Sequence, residues 1–154
     1  MLGFGIIIPL LAPLFLDPQG MLPGVSYGTR TVLLGLLLAS FPLAQFFGAP
    51  LLGALSDRYG RKKLLLVALS GTFLIFVLFA IGVYLKNVPL LFISRILDGF
   101  TGGNISIVLS AIADISKEEE KAKNFGLIGM SFGLGFIFGP LLGGLLADAS
   151  LVSW

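Results

Sequence analysis

The chain has 154 residues, of which 56% are hydrophobic and 12% are charged, and its formal net charge is +2. Soluble domains carry about 25% charged residues, so this composition excludes an ordinary soluble domain and indicates a membrane protein. Cysteine and histidine are both absent, which excludes a disulfide framework and removes the commonest general base and zinc ligand. Any proton chemistry must therefore use carboxylates. We expect no enzymatic activity, no cofactor, no metal site and no nucleic-acid partner.

The apolar runs predict about five membrane-spanning helices. About 20 apolar residues cross the hydrocarbon core of a bilayer, and three runs of at least that length, 31–56, 64–85 and 124–147, contain no charge. We predict spans at 1–16 (short, as if truncated at its start), 31–56, 64–85, 89–115 and 125–148. The predicted fold is an all-α membrane protein in contact with lipid, with residues 1–154 as one partial transmembrane bundle and Trp154 ending an interfacial tail.

The first span contains Pro9, which removes a backbone hydrogen bond and should kink the helix. The sequence leaves open whether this is an ordinary kink or part of a transport pathway. Residues 17–30 are rich in proline and glycine and predict an exposed loop before the second span.

Basic residues in the loops predict the orientation of the chain. The loop after the second span contains four of them and the loop after the fourth contains three, whereas Arg30 and Lys86 stand alone in the opposite loops. Cytoplasmic loops carry the excess of lysine and arginine. We therefore predict a multi-pass protein of the plasma (inner) membrane with a cytoplasmic N-terminus.

The fourth span is unusual because it contains Arg95, Asp98 and Asp114. A charge at membrane depth costs about 3 kcal/mol or more, so Arg95 should face the interior of the bundle. Asp98 is three residues further on, and the two side chains therefore share one helix face and can pair. As the deepest carboxylate in a chain without histidine, Asp98 is our candidate proton carrier. The alternative is a static ion pair that holds the helix in register.

Small residues recur in the fifth span and predict a flat face for close helix packing. They are Gly129, Gly133, Gly135, Gly139, Gly143 and Gly144, with Pro140 among them. The segment 140–148 also matches 50–57 with one inserted residue. Because the two copies lie three spans apart and run in opposite senses, they indicate an inverted three-plus-three repeat. A chance match between two segments rich in leucine and glycine is the alternative.

The segment from Gly53 to Lys62, Gly-Ala-Leu-Ser-Asp-Arg-Tyr-Gly-Arg-Lys, joins the second and third spans. It resembles the loop 2–3 signature of the major facilitator superfamily of transporters. We expect its glycines, Gly53 and Gly60, to let the chain turn and to let backbones approach closely.

Three further motifs resemble that superfamily. The segment from Gly5 to Pro13 is similar to the end of helix 1 in its drug:proton antiporter branch. Arg95, followed by Gly99, resembles the helix 4 motif of proton-coupled members, in which the arginine is implicated in proton transfer. The glycine–proline pattern from Gly135 to Gly144 resembles the helix 5 motif of antiporters.

The resemblance implies roles for particular residues. Arg95 would take part in proton coupling, and we add Asp98 on our own argument. Asp114 would pair with Arg61, and Asp57 would face a helix N-terminus in another half of the transporter. The implied gating residues are Gly53, Asp57, Arg58, Gly60, Arg61 and Asp114. The implied helix-packing residues are Pro9, Gly99, Gly135, Gly139, Pro140, Gly143 and Gly144.

The implied function is part of a proton-coupled secondary transporter of the tetracycline-resistance and multidrug efflux type. Such a protein exports drugs or small metabolites by alternating access, in exchange for protons. The resemblance covers helices 1 to 5 of a twelve-helix fold, so the second half of the transporter is an expected partner. Two alternatives stay open: an uptake carrier of the same superfamily, and a truncated, non-transporting fragment that packs against another membrane protein.

Overall fold

The computed structural model describes residues 2–18 and 20–147, and six helices account for most of them. The described part of the chain contains no β-strand. The helices are α1 (Leu2–Leu16), α2 (Tyr27–Tyr59), α3 (Arg61–Tyr84), α4 (Val88–Gly102), α5 (Asn104–Ile115) and α6 (Glu118–Ala147).

Four segments are long and apolar enough to cross a membrane. They are α2, α3, α6 and the continuous apolar segment Val88–Ile115, which α4 and α5 share. Large apolar side chains on these helices are exposed, among them Phe46 at 74% and Phe73 at 67%. Exposed apolar surface of this extent suits lipid rather than water. The chain is therefore an all-α, multi-pass membrane protein, as the composition predicts.

The helices extend beyond several of the predicted spans. The second begins at Tyr27 and ends at Tyr59, several residues outside the predicted limits of 31 and 56. The last begins at Glu118, within the charged segment that precedes the predicted span at 125. Three glutamates lie in its first turn, where negative charge is favoured by the helix dipole. Asp148 of the repeat and the tail ending in Trp154 lie outside the described residues.

The described residues form two compact units. One unit combines the chain up to Leu34 with the chain from Ala122 onward, and the other is Gly35–Lys121. Within the second unit, α3 packs along α4. Thr72 on α3 donates a hydrogen bond to the hydroxyl of Thr101 on α4 at 3.1 Å.

A single residue, Gly60, separates α2 from α3. Its φ is +91° and its ψ is 133°, a backbone conformation that side chains other than glycine rarely adopt. The expected role of Gly60 in the turn is therefore confirmed. The same expectation for Gly53 is wrong, because α2 continues through this residue as regular helix to Tyr59. Outside its own helix, the nearest described atom to a Cβ at Gly53 would be the Ser106 hydroxyl oxygen, 4.0 Å away, so Gly53 makes no close approach to another helix either.

We expect Gly60→Ala to destabilise the protein by about 1–3 kcal/mol, the usual range for a residue held in a sparsely populated backbone region. A Cβ at Gly60 would meet no atom within 4 Å, so the effect is conformational rather than steric. The measurement is the thermal unfolding midpoint of the protein in detergent. Gly35→Ala is the matched control, since Gly35 is helical and equally open. Equal midpoints for the two variants would contradict the account of the turn.

Candidate functional site

A buried ion pair lies on α4. Arg95 Nη1 donates a hydrogen bond to Asp98 Oδ2 at 3.1 Å. Arg95 is 1% exposed and Asp98 is 6% exposed. The sequence expectation that Arg95 is buried and that the two side chains share a face and pair is therefore confirmed.

Two aromatic rings enclose the guanidinium of Arg95. Its central carbon lies 5.3 Å from the ring centroid of Phe41 on α2 and 5.6 Å from that of Phe79 on α3. A cation over an aromatic face gains about 2 kcal/mol when both are shielded from water. Three helices thus meet at Arg95, and the rings together with Asp98 offset part of the cost of burying its charge.

The helix that carries the pair lies very close to α2. A Cβ at Gly99 would overlap the carbonyl oxygen of Phe41 and would lie 2.6 Å from the Cβ of Ala44. A Cβ at Gly48 would lie 2.7 Å from the backbone of Phe100. Only glycine fits at these two positions without moving backbone, so the packing predicted for Gly99 is present. It brings Phe41 within reach of Arg95.

A second charge cluster connects the ends of α2, α3 and α5. The Nη2 atom of Arg61 lies 3.4 Å from Asp57 Oδ1, and its Nε atom pairs with Asp114 Oδ2. The pair between Arg61 and Asp114 that the resemblance implies is therefore present. Asp57 and Asp114 are more than half exposed, and exposed pairs contribute only about 0–1 kcal/mol. Such a contact can break and re-form readily, which suits a gate; the gating role itself stays a prediction.

Arg58, the remaining residue predicted for the gate, lies in the last turn of α2. Its guanidinium carbon lies 5.6 Å from the ring centroid of Tyr59. The predicted role of Asp57 opposite a helix N-terminus concerns polypeptide outside this chain and stays a prediction.

In the other unit, α1 packs closely against α6. A Cβ at Gly5 would lie 2.9 Å from the Cα of Gly139 and 3.0 Å from the Cδ of Pro140. A Cβ at Gly143 would lie 2.5 Å from the carbonyl oxygen of Ile6 and 2.9 Å from the Cγ of Pro9. Gly135 also contributes its carbonyl oxygen to this contact. Pro9 and the residues of the helix 5 motif were predicted to pack helices together. All of them except Gly144 lie at this contact between α1 and α6.

Gly144 is that exception, and Gly129 and Gly133 behave in the same way. A Cβ at any of these three positions would meet no atom within 4 Å among the described residues. These three glycines therefore make no close contact among the described residues, and the packing predicted for them stays a prediction. Helical geometry explains Gly144, because successive residues point about 100° apart and Gly143 already faces α1.

Arg30 was predicted only as a loop charge, but the structure buries it to 6% exposure. Its Nη1 atom donates to the carbonyl oxygens of Asp17 at 2.8 Å and Leu16 at 3.4 Å, where α1 ends. Carbonyl groups at a helix C-terminus lack intrahelical partners and favour a cation. The sequence prediction placed Arg30 in a loop, so the signal appears only once α2 is known to begin at Tyr27: an arginine in the first turn of a helix opposes that helix's own dipole and needs another partner.

Sequence reasoning also missed Gln45. Its Nε2 atom donates to the carbonyl oxygen of Gly102 at 2.9 Å, at the junction of α4 and α5. An amide inside an otherwise uncharged and apolar span was the available signal, because a polar side chain at membrane depth is expected to find a specific partner.

The chain belongs to a known family of transporters. The profile of the Major Facilitator Superfamily matches residues 1–154. The class H tetracycline resistance protein of Pasteurella multocida is 39% identical over 149 residues, which cover 97% of this chain and 35% of that protein. The quinolone resistance protein NorA of Staphylococcus aureus (strain Mu50 / ATCC 700699) is 37% identical over 150 residues, which cover 97% of this chain and 36% of NorA.

The chain is therefore similar to these drug-resistance proteins along almost its whole length. It spans about a third of the length of these relatives. The resemblance found in the sequence motifs is confirmed at the level of the superfamily.

We expect the loss of either member of the buried pair to destabilise the protein by about 3–5 kcal/mol, because the remaining charge is left buried without its partner. Arg95→Met and Asp98→Leu are the single variants. The double variant should recover most of the loss, since apolar side chains of similar volume replace a buried pair at little cost. Thermal unfolding of all four proteins in detergent provides the double-mutant cycle. Additive losses in the double variant would show that the two side chains do not interact.

Proposed function

We propose that the complete protein is a proton-coupled exporter of drugs or small metabolites that works by alternating access. The observation that carries the proposal is the buried ion pair between Arg95 and Asp98 in one membrane-spanning segment. Ionisable residues inside membrane segments are rare and are by default candidates for a proton or substrate pathway. The relatives named for tetracycline and quinolone resistance support these two drug classes as the first substrates to test.

In the proposed cycle Asp98 carries the proton. Deprotonated, it is held against Arg95 by charge and by the hydrogen bond at 3.1 Å. Protonation neutralises the carboxylate and weakens that attraction, while the rings of Phe41 and Phe79 still stabilise the cation. The pair thus has two states that differ by one proton. Coupling requires that substrate binding favours one of these states over the other.

The cluster of Arg61, Asp57 and Asp114 is proposed as the gate that closes one side of the transporter. Basic residues cluster at the helix ends around Gly60 and at the start of α6. This bias supports a cytoplasmic position for the gate and for the N-terminus, in a cell whose plasma (inner) membrane holds the protein. Polypeptide beyond this chain would complete the substrate cavity and supply the surface that Asp57 faces. In related folds such sites lie between two repeats.

The test is transport by the complete protein in proteoliposomes under an imposed pH gradient, with tetracycline and a quinolone as probes. We expect drug to move against the direction of proton flow. Asp98→Asn should abolish stimulation by the gradient, because an amide cannot carry the proton. Glu118→Gln is the matched control and should transport normally, since Glu118 is exposed at a helix end and, among the described residues, pairs with Lys121 alone.

Two outcomes would contradict the proposal. Drug movement in the same direction as the protons would identify an uptake carrier. Unchanged gradient-driven exchange in Asp98→Asn would show that Asp98 is a static partner of Arg95 rather than the proton carrier.

A further inference from the structure

The segment Val88–Ile115 is long and apolar enough to be one membrane span, yet it is not one continuous helix. It consists of α4, which ends at Gly102, and α5, which begins at Asn104. Gly103 stands between them with φ −62° and ψ −4°. These angles lie in the right-handed region, so the conformation itself does not require glycine.

The regular hydrogen-bond pattern is shifted at this junction. In a continuous helix the amide of Ser106 would donate to the carbonyl of Gly102, four residues back. Instead the Ser106 amide donates to the carbonyl oxygen of Gly103 at 3.1 Å. The Ser106 hydroxyl also donates to the Gly103 carbonyl oxygen, at 2.6 Å. Gly102 accepts its hydrogen bond from Nε2 of Gln45, a residue of α2, at 2.9 Å.

A backbone carbonyl in an apolar span is costly unless it has a donor. The side-chain amide of Gln45 donates to the carbonyl oxygen of Gly102, because the Ser106 amide, its donor in a continuous helix, bonds to Gly103 instead. It therefore stabilises the interrupted conformation relative to a continuous helix, in which Gly102 would need no help from α2.

Close contact between backbones keeps the donor in place. A Cβ at Gly103 would lie 2.7 Å from the Cα of Ala49, so α2 and the junction touch with no side chain between them. The Ser106 hydroxyl also lies 3.4 Å from the carbonyl oxygen of Ala49. Gln45 and Ala49 are four residues apart and hence on one face of α2. One face of α2 thus contacts both sides of the junction.

The junction separates the two charged groups of the candidate site. Arg95 and Asp98 belong to α4, and Asp114, which pairs with Arg61, belongs to α5. We propose that the α4–α5 junction is a hinge and that Gln45 is a positioning residue, whose amide holds the hinge in its interrupted conformation and thereby couples the buried pair to the gate. The coupling between the buried pair and the gate rests on the proposed transport function. The hinge itself is independent of that function.

The hinge can be measured apart from transport. The chain contains no cysteine, so labels can be placed at Ile93→Cys on α4 and Ile115→Cys on α5, two exposed positions. Any cysteine elsewhere in the complete protein would be replaced first. A continuous helix would separate the two backbone positions by about 33 Å. We expect Gln45→Met, which keeps length but cannot donate, to broaden the distance distribution measured by electron spin resonance and to extend it toward that value.

Transport provides the second measurement, with tetracycline and a quinolone as probes in proteoliposomes. We expect Gln45→Met to lower gradient-driven flux by about tenfold, as for loss of one hydrogen bond that leaves a buried carbonyl unsatisfied. Ser40→Ala is the control on the same helix, and both readouts should stay unchanged. In the part of the chain that the structure describes, the Ser40 hydroxyl bonds to the carbonyl oxygen of Leu37 in its own helix and to no other element. If Gln45→Met does not accumulate in the membrane, Gln45→Asn takes its place, because the shorter side chain of asparagine cannot reach the carbonyl of Gly102.

Each result separates the two ideas. An unchanged distance distribution in the Gln45 variant would overturn the hinge. A changed distribution with normal flux would overturn the coupling role of Gln45 while leaving the hinge. Failure of the unsubstituted protein to exchange either probe for protons would count against the proposed function, and the distance measurement would still decide the hinge.

Discussion

The cost of placing Arg95 inside a membrane span is the constraint on which the surrounding structure depends. Its guanidinium is 1% exposed, so neither water nor lipid headgroups can compensate the charge. Asp98 supplies the opposite charge from the next turn of the same helix, and Phe41 and Phe79 supply aromatic faces from two other helices. The positions of α2 and α3 beside α4 follow from this need. An arrangement that lost one of them would leave a buried charge poorly compensated.

Glycine makes these distances possible. Gly48, Gly99 and Gly103 lie where a Cβ would collide with the backbone or a short side chain of the neighbouring helix. Membrane helices associate without a hydrophobic driving force between them and rely on such close packing. Close approach also brings the Gln45 amide to the carbonyl of Gly102. The same small residues therefore position the charged pair and support the interruption between α4 and α5.

Much of this arrangement could be predicted from the sequence. Uncharged runs located the helices, the spacing of Arg95 and Asp98 placed them on one face, and the signature placed Gly60 in a turn. Contacts between distant segments were less accessible. Nothing local distinguishes Gly143, which contacts α1, from Gly144, which does not. Arg30 donates to carbonyl groups at the end of α1, and Gln45 donates to a carbonyl group at the end of α4. Such partners cannot be predicted until the helix ends are known.

Proton release on substrate binding tests the central claim most directly, because it needs no gradient and no assumption about the direction of transport. Substrate would be added to the complete protein in weakly buffered detergent solution, with correction for protons released by the substrate alone. If Asp98 carries the exchanged proton, the unsubstituted protein releases protons on binding and Asp98→Asn binds substrate without releasing them. Equal release by the two proteins would contradict the account and would leave the pair of Arg95 and Asp98 with a structural role alone.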